Sequence, residues 1–119
     1  MTRPDPATCT AREIYDYVRA HLLRQGVRSA GLDRDGNEAC RYRGDNGTSC
    51  AVGCLIPDEM YRPEMEYLPV GELVVHDHVP ASWSTHVDLL SRLQTIHDLD
   101  DPADWSAKLD ALARERGWL

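Results

Sequence analysis

The sequence is short of the features that mark membrane and secreted proteins. It has no apolar run long enough to predict a membrane-spanning helix, and Met1 to Pro6 lack the apolar core of a signal peptide. It also has no internal repeat and no low-complexity segment. From these absences we expect a cytoplasmic protein that makes no membrane contact. A length of 119 residues predicts a single domain over 1–119, with the proline-rich residues 1–8 flexible.

Basic residues are few, and nearly all are arginine, because Lys108 is the only lysine. The net charge is −7 and is unevenly distributed: residues 1–56 carry a net charge of +1, and residues 57–119 carry −8. An acidic half of this kind repels phosphates, so we expect no direct contact with nucleic acid. It is compatible with a basic protein partner, with mimicry of nucleic-acid charge, or simply with a solubilising surface.

Helical signals frame both ends of the chain. Thr10 and Glu13 form a capping box, and apolar residues recur at helical spacing up to Gln25, before Gly26. A second helix is predicted from Pro80–Trp83 to His97-Asp98, with Ser82 as its N-cap. A third begins at Asp101-Pro102, and we expect Trp118 and Leu119 to dock after it. Val70–Val79 fits either a strand or a helix, and we favour a short helix.

The central stretch predicts a hairpin. Ala39–Arg43 alternates apolar and basic residues as a half-buried strand does, and Asp45-Asn46-Gly47 is a strong turn signal. We expect Thr48-Ser49 to pair with this strand and a buried helix to follow over Cys50–Ile56, although a second strand also fits that run. Asp33–Asn37 departs from a calcium loop and is interpreted as a turn leading into the strand. The fold class is therefore α+β, a mainly helical domain with one short antiparallel β-hairpin.

The same stretch, with the pattern C-x-Y-R-G-x-x-G-x-x-C-A-V-G-C-L-I-P-D-E-x-Y over Cys40 to Tyr61, resembles a group of small proteins of phages and bacteria. The likeness extends weakly to Pro63–Glu66 and to the segment from Trp83 to Asp98. It covers about half of the chain and implies a soluble intracellular protein of bacterial or mobile-element origin. It carries over no catalytic or binding residue.

Three of the cysteines suggest two kinds of chemistry. Cys40, Cys50 and Cys54 could supply the tetrahedral ligands of a zinc-stabilised module, with one of His76, His78, His86 or His97 as the fourth. However, no Cys-x-x-Cys pair is present, and cysteines inside an apolar run more often behave as small hydrophobic residues. Alternatively, Cys50 at a helix start could be the nucleophile of a small cysteine hydrolase, with His76 or His78 as the base. We weigh both against a protein without catalysis.

Arginines on the predicted hairpin form the only basic patch. Arg41 and Arg43, with Arg34 nearby, could bind a phosphate or a carboxylate of a ligand. We favour the alternative, in which they pair with the acidic C-terminal half inside the fold.

The function that we expect from these patterns is a small acidic protein-interaction module, with no catalysis and no cofactor. Its binding surface would contain Glu66, Asp98, Asp100 and Asp101, and its partner would be a basic protein. An inhibitor or immunity protein encoded by a phage or mobile element fits this size and charge. If so, replacing Glu66, Asp100 and Asp101 by their amides should weaken binding and preserve the fold.

Overall fold

The structure, a computed structural model, describes residues 2–119 and is mainly helical. Its regular elements are α1 Ala11–Gln25, β1 Ala30–Leu32, β2 Glu38–Cys40, α2 Val70–Val75, α3 Val87–Leu99 and α4 Trp105–Glu115. The two strands form one antiparallel sheet, so the predicted α+β class is confirmed. Among the residues described, no helix is both long enough and apolar enough to cross a membrane.

The first helix begins and ends where the sequence predicts. The Thr10 hydroxyl accepts a hydrogen bond from Glu13 N at 3.2 Å, and the Glu13 carboxylate accepts one from Thr10 N at 3.0 Å. Gly26 follows the helix in the left-handed conformation (φ +70°), which a side chain would oppose. These end groups fix α1 because they satisfy N–H and C=O groups that have no partner within the helix.

The hairpin forms one segment earlier than predicted. Strand β2 pairs with β1 (Ala30 opposite Cys40), so the connecting turn is Asp33–Asn37 and not Asp45–Gly47. The Asp33 carboxylate accepts hydrogen bonds from the N–H groups of Asp35 and Asn37, both at 2.9 Å. This local network closes the turn and therefore decides the strand pairing. The predicted Asp45–Gly47 turn also exists, and the expected pairing at Thr48-Ser49 is limited to a single bridge between Arg43 and Ser49.

The predicted helix over Cys50–Ile56 is wrong in length. Only one 3-10 turn forms, Gly53–Leu55, although the whole run is buried. Pro57 requires an extended residue before it, and Ile56 is extended (φ −86°, ψ 116°). Gly53 also lies directly against Tyr42, where a Cβ atom would come within 2.2 Å of the Tyr42 carbonyl oxygen. This run is therefore a buried connection.

The second half of the chain is helical as predicted, with changes at the helix starts. Val70–Val75 is a helix, and the Asp101 carboxylate accepts a hydrogen bond from Ala103 N at 2.9 Å before α4. The predicted N-cap Ser82 is wrong, because a 3-10 segment, Ala81–His86, precedes α3 and Ser82 caps nothing. That segment places Trp83 in the core.

Helices α1, α3 and α4 pack around a common core that contains most of the large apolar side chains. Trp118 docks on Tyr15, with their ring centroids 5.3 Å apart. Leu119 does not dock, since 67% of it is exposed. Two acids of the chain, Glu66 and Asp98, line a cavity together with the core residues Tyr42, Cys50 and Val70.

Candidate binding face around Tyr67

Glu66 is a buried acid and not a surface acid, so its predicted place in an exposed acidic surface is wrong. Only 4% of the residue is exposed. Its Oε1 accepts a hydrogen bond from Tyr42 N at 2.8 Å, and its Oε2 accepts from Arg43 N at 3.1 Å and from the Tyr61 hydroxyl at 2.7 Å. Arg41 Nε lies 3.7 Å from Oε2. The carboxylate is held inward because these groups compensate its burial.

The two arginines of the central stretch pair within the fold, as we favoured from the sequence. Arg41 lies beside Glu66, and Arg43 Nη1 donates to the Asp58 carboxylate at 2.6 Å. Arg43 Nη2 also donates to the Ile56 carbonyl at 2.6 Å. Both acids belong to the acidic half of the chain. The predicted basic patch is therefore largely neutralised by the fold itself.

Asp98 differs from Glu66, because no arginine or lysine lies beside its carboxylate within the described chain. Its Oδ1 accepts hydrogen bonds from His97 Nδ1 at 2.6 Å and from Gln94 Nε2 at 2.8 Å. His97 is neutral, because its Nε2 accepts a hydrogen bond from the Ser29 backbone N–H at 2.9 Å and so carries no proton. One third (33%) of the Asp98 side chain is exposed, and within the described chain no lysine or arginine pairs with it.

Asp100 and Asp101, the other two predicted binding acids, serve the connection between α3 and α4. Asp101 is the cap already described. The carboxylate of Asp100 lies 3.9 Å from Lys108 Nζ, and its carbonyl oxygen accepts hydrogen bonds from Arg28 Nη2 at 2.6 Å and Trp105 Nε1 at 3.2 Å. These contacts account for both residues within the fold.

The potential metal ligands that lie close together differ from the zinc set considered from the sequence. Atoms of Cys40, His97 and Asp98 lie within 4.8 Å of one another, and this is the one such group among residues 2–119. Cys50 and Cys54 do not belong to it, so two members of the zinc alternative, Cys40 and His97, come together and its three cysteines do not. His97 is also unsuited to metal binding at this point, because ligation through Nδ1 would move the proton to Nε2, which faces the Ser29 N–H.

The thiols do not have the properties of a nucleophile. Cys50 is fully buried, and burial raises the pKa of its thiol, so the thiolate does not form near neutral pH. Its sulfur instead accepts a hydrogen bond from Gly53 N at 3.3 Å. Of the proposed bases, His76 is exposed and pairs with Glu72 at 3.0 Å. The geometry thus lacks the activated thiol that a Cys50 hydrolase requires.

A cavity of about 330 Å³ lies between β2, the Glu66–Val70 segment and α3. Both Glu66 and Asp98 line it. Its apolar wall includes Tyr42, Cys50, Leu68 and Val70. Its polar wall includes Cys40, Arg41, Ser91, Gln94 and Thr95. The cavity therefore combines an apolar interior with one carboxylate, that of Asp98, that has no cationic partner.

Tyr67 stands at the edge of this cavity in an unusual conformation. Its φ is +69°, and apart from Gly, Asn and Asp it is the one residue in 2–119 with a positive φ. Half of it is exposed (49%). Its other side borders a second, more open depression that is also lined by Asp33, Arg34, Asp35 and Glu64. We define the Tyr67 face as Tyr67 with the acids Asp33, Asp35, Glu64 and Asp98.

Sequence reasoning identified Asp98 and missed the rest of this face. The sequence marks Asp33 and Asp35 only as turn residues and does not single out Tyr67. No sequence signal marks a positive φ at a tyrosine. The Asp33–Asn37 turn was recognisable, but its place beside Glu64 depends on the strand pairing.

The chain matches no protein-family model, no curated protein and no solved structure. A function for this chain is therefore inferred from the geometry of the Tyr67 face and the cavity beside it.

Proposed function

We propose that this protein is a non-catalytic interaction module that binds a basic segment of a protein partner on the Tyr67 face. The observation that carries the proposal is the half-exposed Tyr67, held at positive φ between two depressions that are both lined by acids. A residue held in a strained conformation at a surface depression is a recurrent feature of binding sites.

The charge of the face favours a basic partner. Four acids belong to it. Among the residues that line the two depressions, the basic ones are Arg41, which lies against Glu66, and Arg34, which has no ion pair in the described part of the chain. The side chains of Asp35 and Glu64 make no hydrogen bond or ion pair within residues 2–119, so their charges are available. Complementary charge accelerates encounter and selects against acidic partners.

Tyr67 supplies the apolar contact that the acids cannot give. Tyrosine is enriched among the residues that dominate binding energy, since it buries a large rigid ring at a small entropic cost. The ring face also attracts the cationic groups of lysine and arginine. An exposed tyrosine surrounded by carboxylates therefore suits a segment with alternating basic and apolar character.

A small protein with such a face could act by covering a basic surface of its partner. This mode of action is consistent with an inhibitor or immunity protein of phage or mobile-element origin, which remains part of the proposal. The net charge of −7 opposes direct binding to nucleic acid.

The proposal is tested by titrating ¹⁵N-labelled protein with a capped hexa-arginine peptide and following backbone amide shifts. We expect the shifts to concentrate at residues 33–35, 64–68 and 94–98. The variant Asp35→Asn/Glu64→Gln/Tyr67→Ala should bind about tenfold more weakly, the order expected for loss of a hot-spot residue and two charges.

The matched control is Asp16→Asn/Glu115→Gln, which removes the same number of charges from exposed positions on α1 and α4. It should change the affinity less than about twofold, as expected for screened charges away from the contact. Shifts spread over the whole surface, or equal losses in the two variants, would show that binding is only a general attraction to an acidic protein.

A further inference from the structure

The Asp98 carboxylate is partly withdrawn from solvent and has no cationic partner within the described chain. Two thirds of its side chain is buried, and its hydrogen-bond donors, His97 and Gln94, are both neutral. Carboxylates removed from water are normally paired with a cation. Here the space beside the carboxylate is a cavity of about 330 Å³, which could receive such a cation.

The orientation of this carboxylate is fixed. Both hydrogen bonds from His97 and Gln94 go to Oδ1, and no N–H or O–H group in residues 2–119 donates to Oδ2. His97 is itself held by Ser29 N and stacks on Trp105, with their ring centroids 5.5 Å apart. A carboxylate held in this way needs little reorganisation to accept a ligand.

The remaining walls suit a side chain with an apolar stem and a charged end. Tyr42 and Val70 are buried apolar residues in the cavity wall, and Tyr42 donates its hydroxyl hydrogen to the Leu68 carbonyl, which fixes its ring. Thr95 on α3 is exposed and borders the cavity. A chain entering past Thr95 and Tyr67 would place its stem on the apolar wall and its end group at Asp98.

We propose that the cavity receives one arginine side chain of the partner, with the guanidinium paired to Asp98. This inference rests on the proposed function, because the arginine belongs to the basic segment bound on the Tyr67 face. Arginine fits better than lysine, since a guanidinium is more weakly hydrated and loses less on entering a partly apolar cavity. Its plane can also stack on the Tyr67 ring at the edge of the cavity.

The test uses a small probe, N-acetyl-arginine-N-methylamide, with the lysine and citrulline analogues as controls, followed by amide shifts of the labelled protein. The arginine probe should shift residues on both sides of the cavity, in 40–42 and 94–98. We expect the lysine probe to bind at least about fivefold more weakly and the neutral citrulline probe more weakly still.

Two variants test whether binding of the arginine probe depends on the Asp98 carboxylate and on the space in the cavity. Asp98→Asn, which keeps the shape and can keep both hydrogen bonds to Oδ1, should weaken the arginine probe about tenfold or more. Asp110→Asn is the matched control, because Asp110 is equally exposed (34%) but pairs with Arg19, and it should leave binding unchanged. Thr95→Trp retains Asp98 and narrows the cavity, so it should also weaken binding.

The outcomes separate this inference from the proposed function. If citrulline binds as well as arginine, or if Asp98→Asn and Thr95→Trp both bind normally, the arginine cavity is wrong. If Asp98→Asn binds hexa-arginine normally while the Asp35, Glu64 and Tyr67 variant does not, binding on the Tyr67 face is supported and the arginine cavity is wrong. If the arginine probe binds through Asp98 while hexa-arginine causes no localised amide shifts, the arginine cavity is supported and binding of a basic segment on the Tyr67 face is wrong.

Discussion

Two carboxylates line the same cavity and differ in almost every other respect. Glu66 is 4% exposed, accepts hydrogen bonds from two backbone N–H groups and one hydroxyl, and lies beside an arginine. Asp98 is one third exposed, accepts only from neutral side chains and has no cationic partner among the described residues. The two carboxylates therefore line one cavity, but only Glu66 has its charge compensated by the surrounding chain.

The difference lies in which groups compensate the charge. Glu66 organises the central stretch, because its oxygens collect the N–H groups of Tyr42 and Arg43 and the Tyr61 hydroxyl. Its charge is already used by the fold. Asp98 is held in place but left uncompensated, and so its charge is available to a ligand. An acid's position in sequence does not distinguish these two cases, whereas the backbone N–H groups and the arginine that surround Glu66 do.

The largest effect is expected for Glu66→Ala. The substitution leaves two buried N–H groups without an acceptor and Arg41 without its partner, and breaking a buried pair in this way costs about 3–5 kcal/mol. The free energy of unfolding, measured by urea denaturation, should fall by that amount. Glu64→Ala is the control, since Glu64 is exposed and should change stability by less than about 0.5 kcal/mol. Similar small losses in both variants would contradict the structural role of Glu66.

A second effect concerns the thiols along the cavity. Burial, followed by the charge of Asp98, raises the pKa of Cys40 to about 11, and burial alone dominates the raised pKa of Cys50. A thiol whose pKa is higher in the folded state stabilises the fold fully below its unfolded pKa and loses that contribution as pH rises towards the folded value.

In reducing buffer, the urea midpoint should therefore stay level up to about pH 8.5, the ordinary thiol pKa, and decrease above it. Cys40→Ala should flatten part of this decrease, because Cys40 then no longer titrates. If the urea midpoint does not change between about pH 8.5 and more alkaline pH, the thiols are not buried as described.

The smallest effect on stability is expected for Asp98→Asn. The amide oxygen can still accept hydrogen bonds from His97 and Gln94, and the substitution removes an uncompensated charge, so stability should change by less than about 1 kcal/mol. A loss as large as that of Glu66→Ala would make the two carboxylates equivalent and remove the basis of the comparison.

The Asp98→Asn variant should also change the reactivity of the Cys40 thiol. Because that charge helps to raise the pKa of Cys40, Asp98→Asn should lower the pKa and accelerate alkylation of Cys40 by iodoacetamide at pH 9, by about twofold or more. Cys9, which lies at the start of α1 and away from the cavity, should react at an unchanged rate.

Several parts of this molecule were determined by the sequence itself. The capping box at Thr10 and Glu13, the helix end at Gly26 and the start of the last helical segment at Asp101 were predicted and are confirmed. These features depend on contacts within a few residues, so the local pattern of side chains is enough to specify them.

Only the tertiary structure decided the hairpin register, the burial of Glu66 and the position of the Tyr67 face. From the sequence, Thr48-Ser49 was expected to pair with the strand at Ala39–Arg43. In the structure Glu38–Cys40 pairs with Ala30–Leu32, across the turn that the Asp33 carboxylate closes. Glu66 acquires its donors from residues more than twenty positions earlier, at Tyr42 and Arg43. Contacts between distant segments compensate one carboxylate and leave the other uncompensated, because burial and pairing depend on how those segments pack.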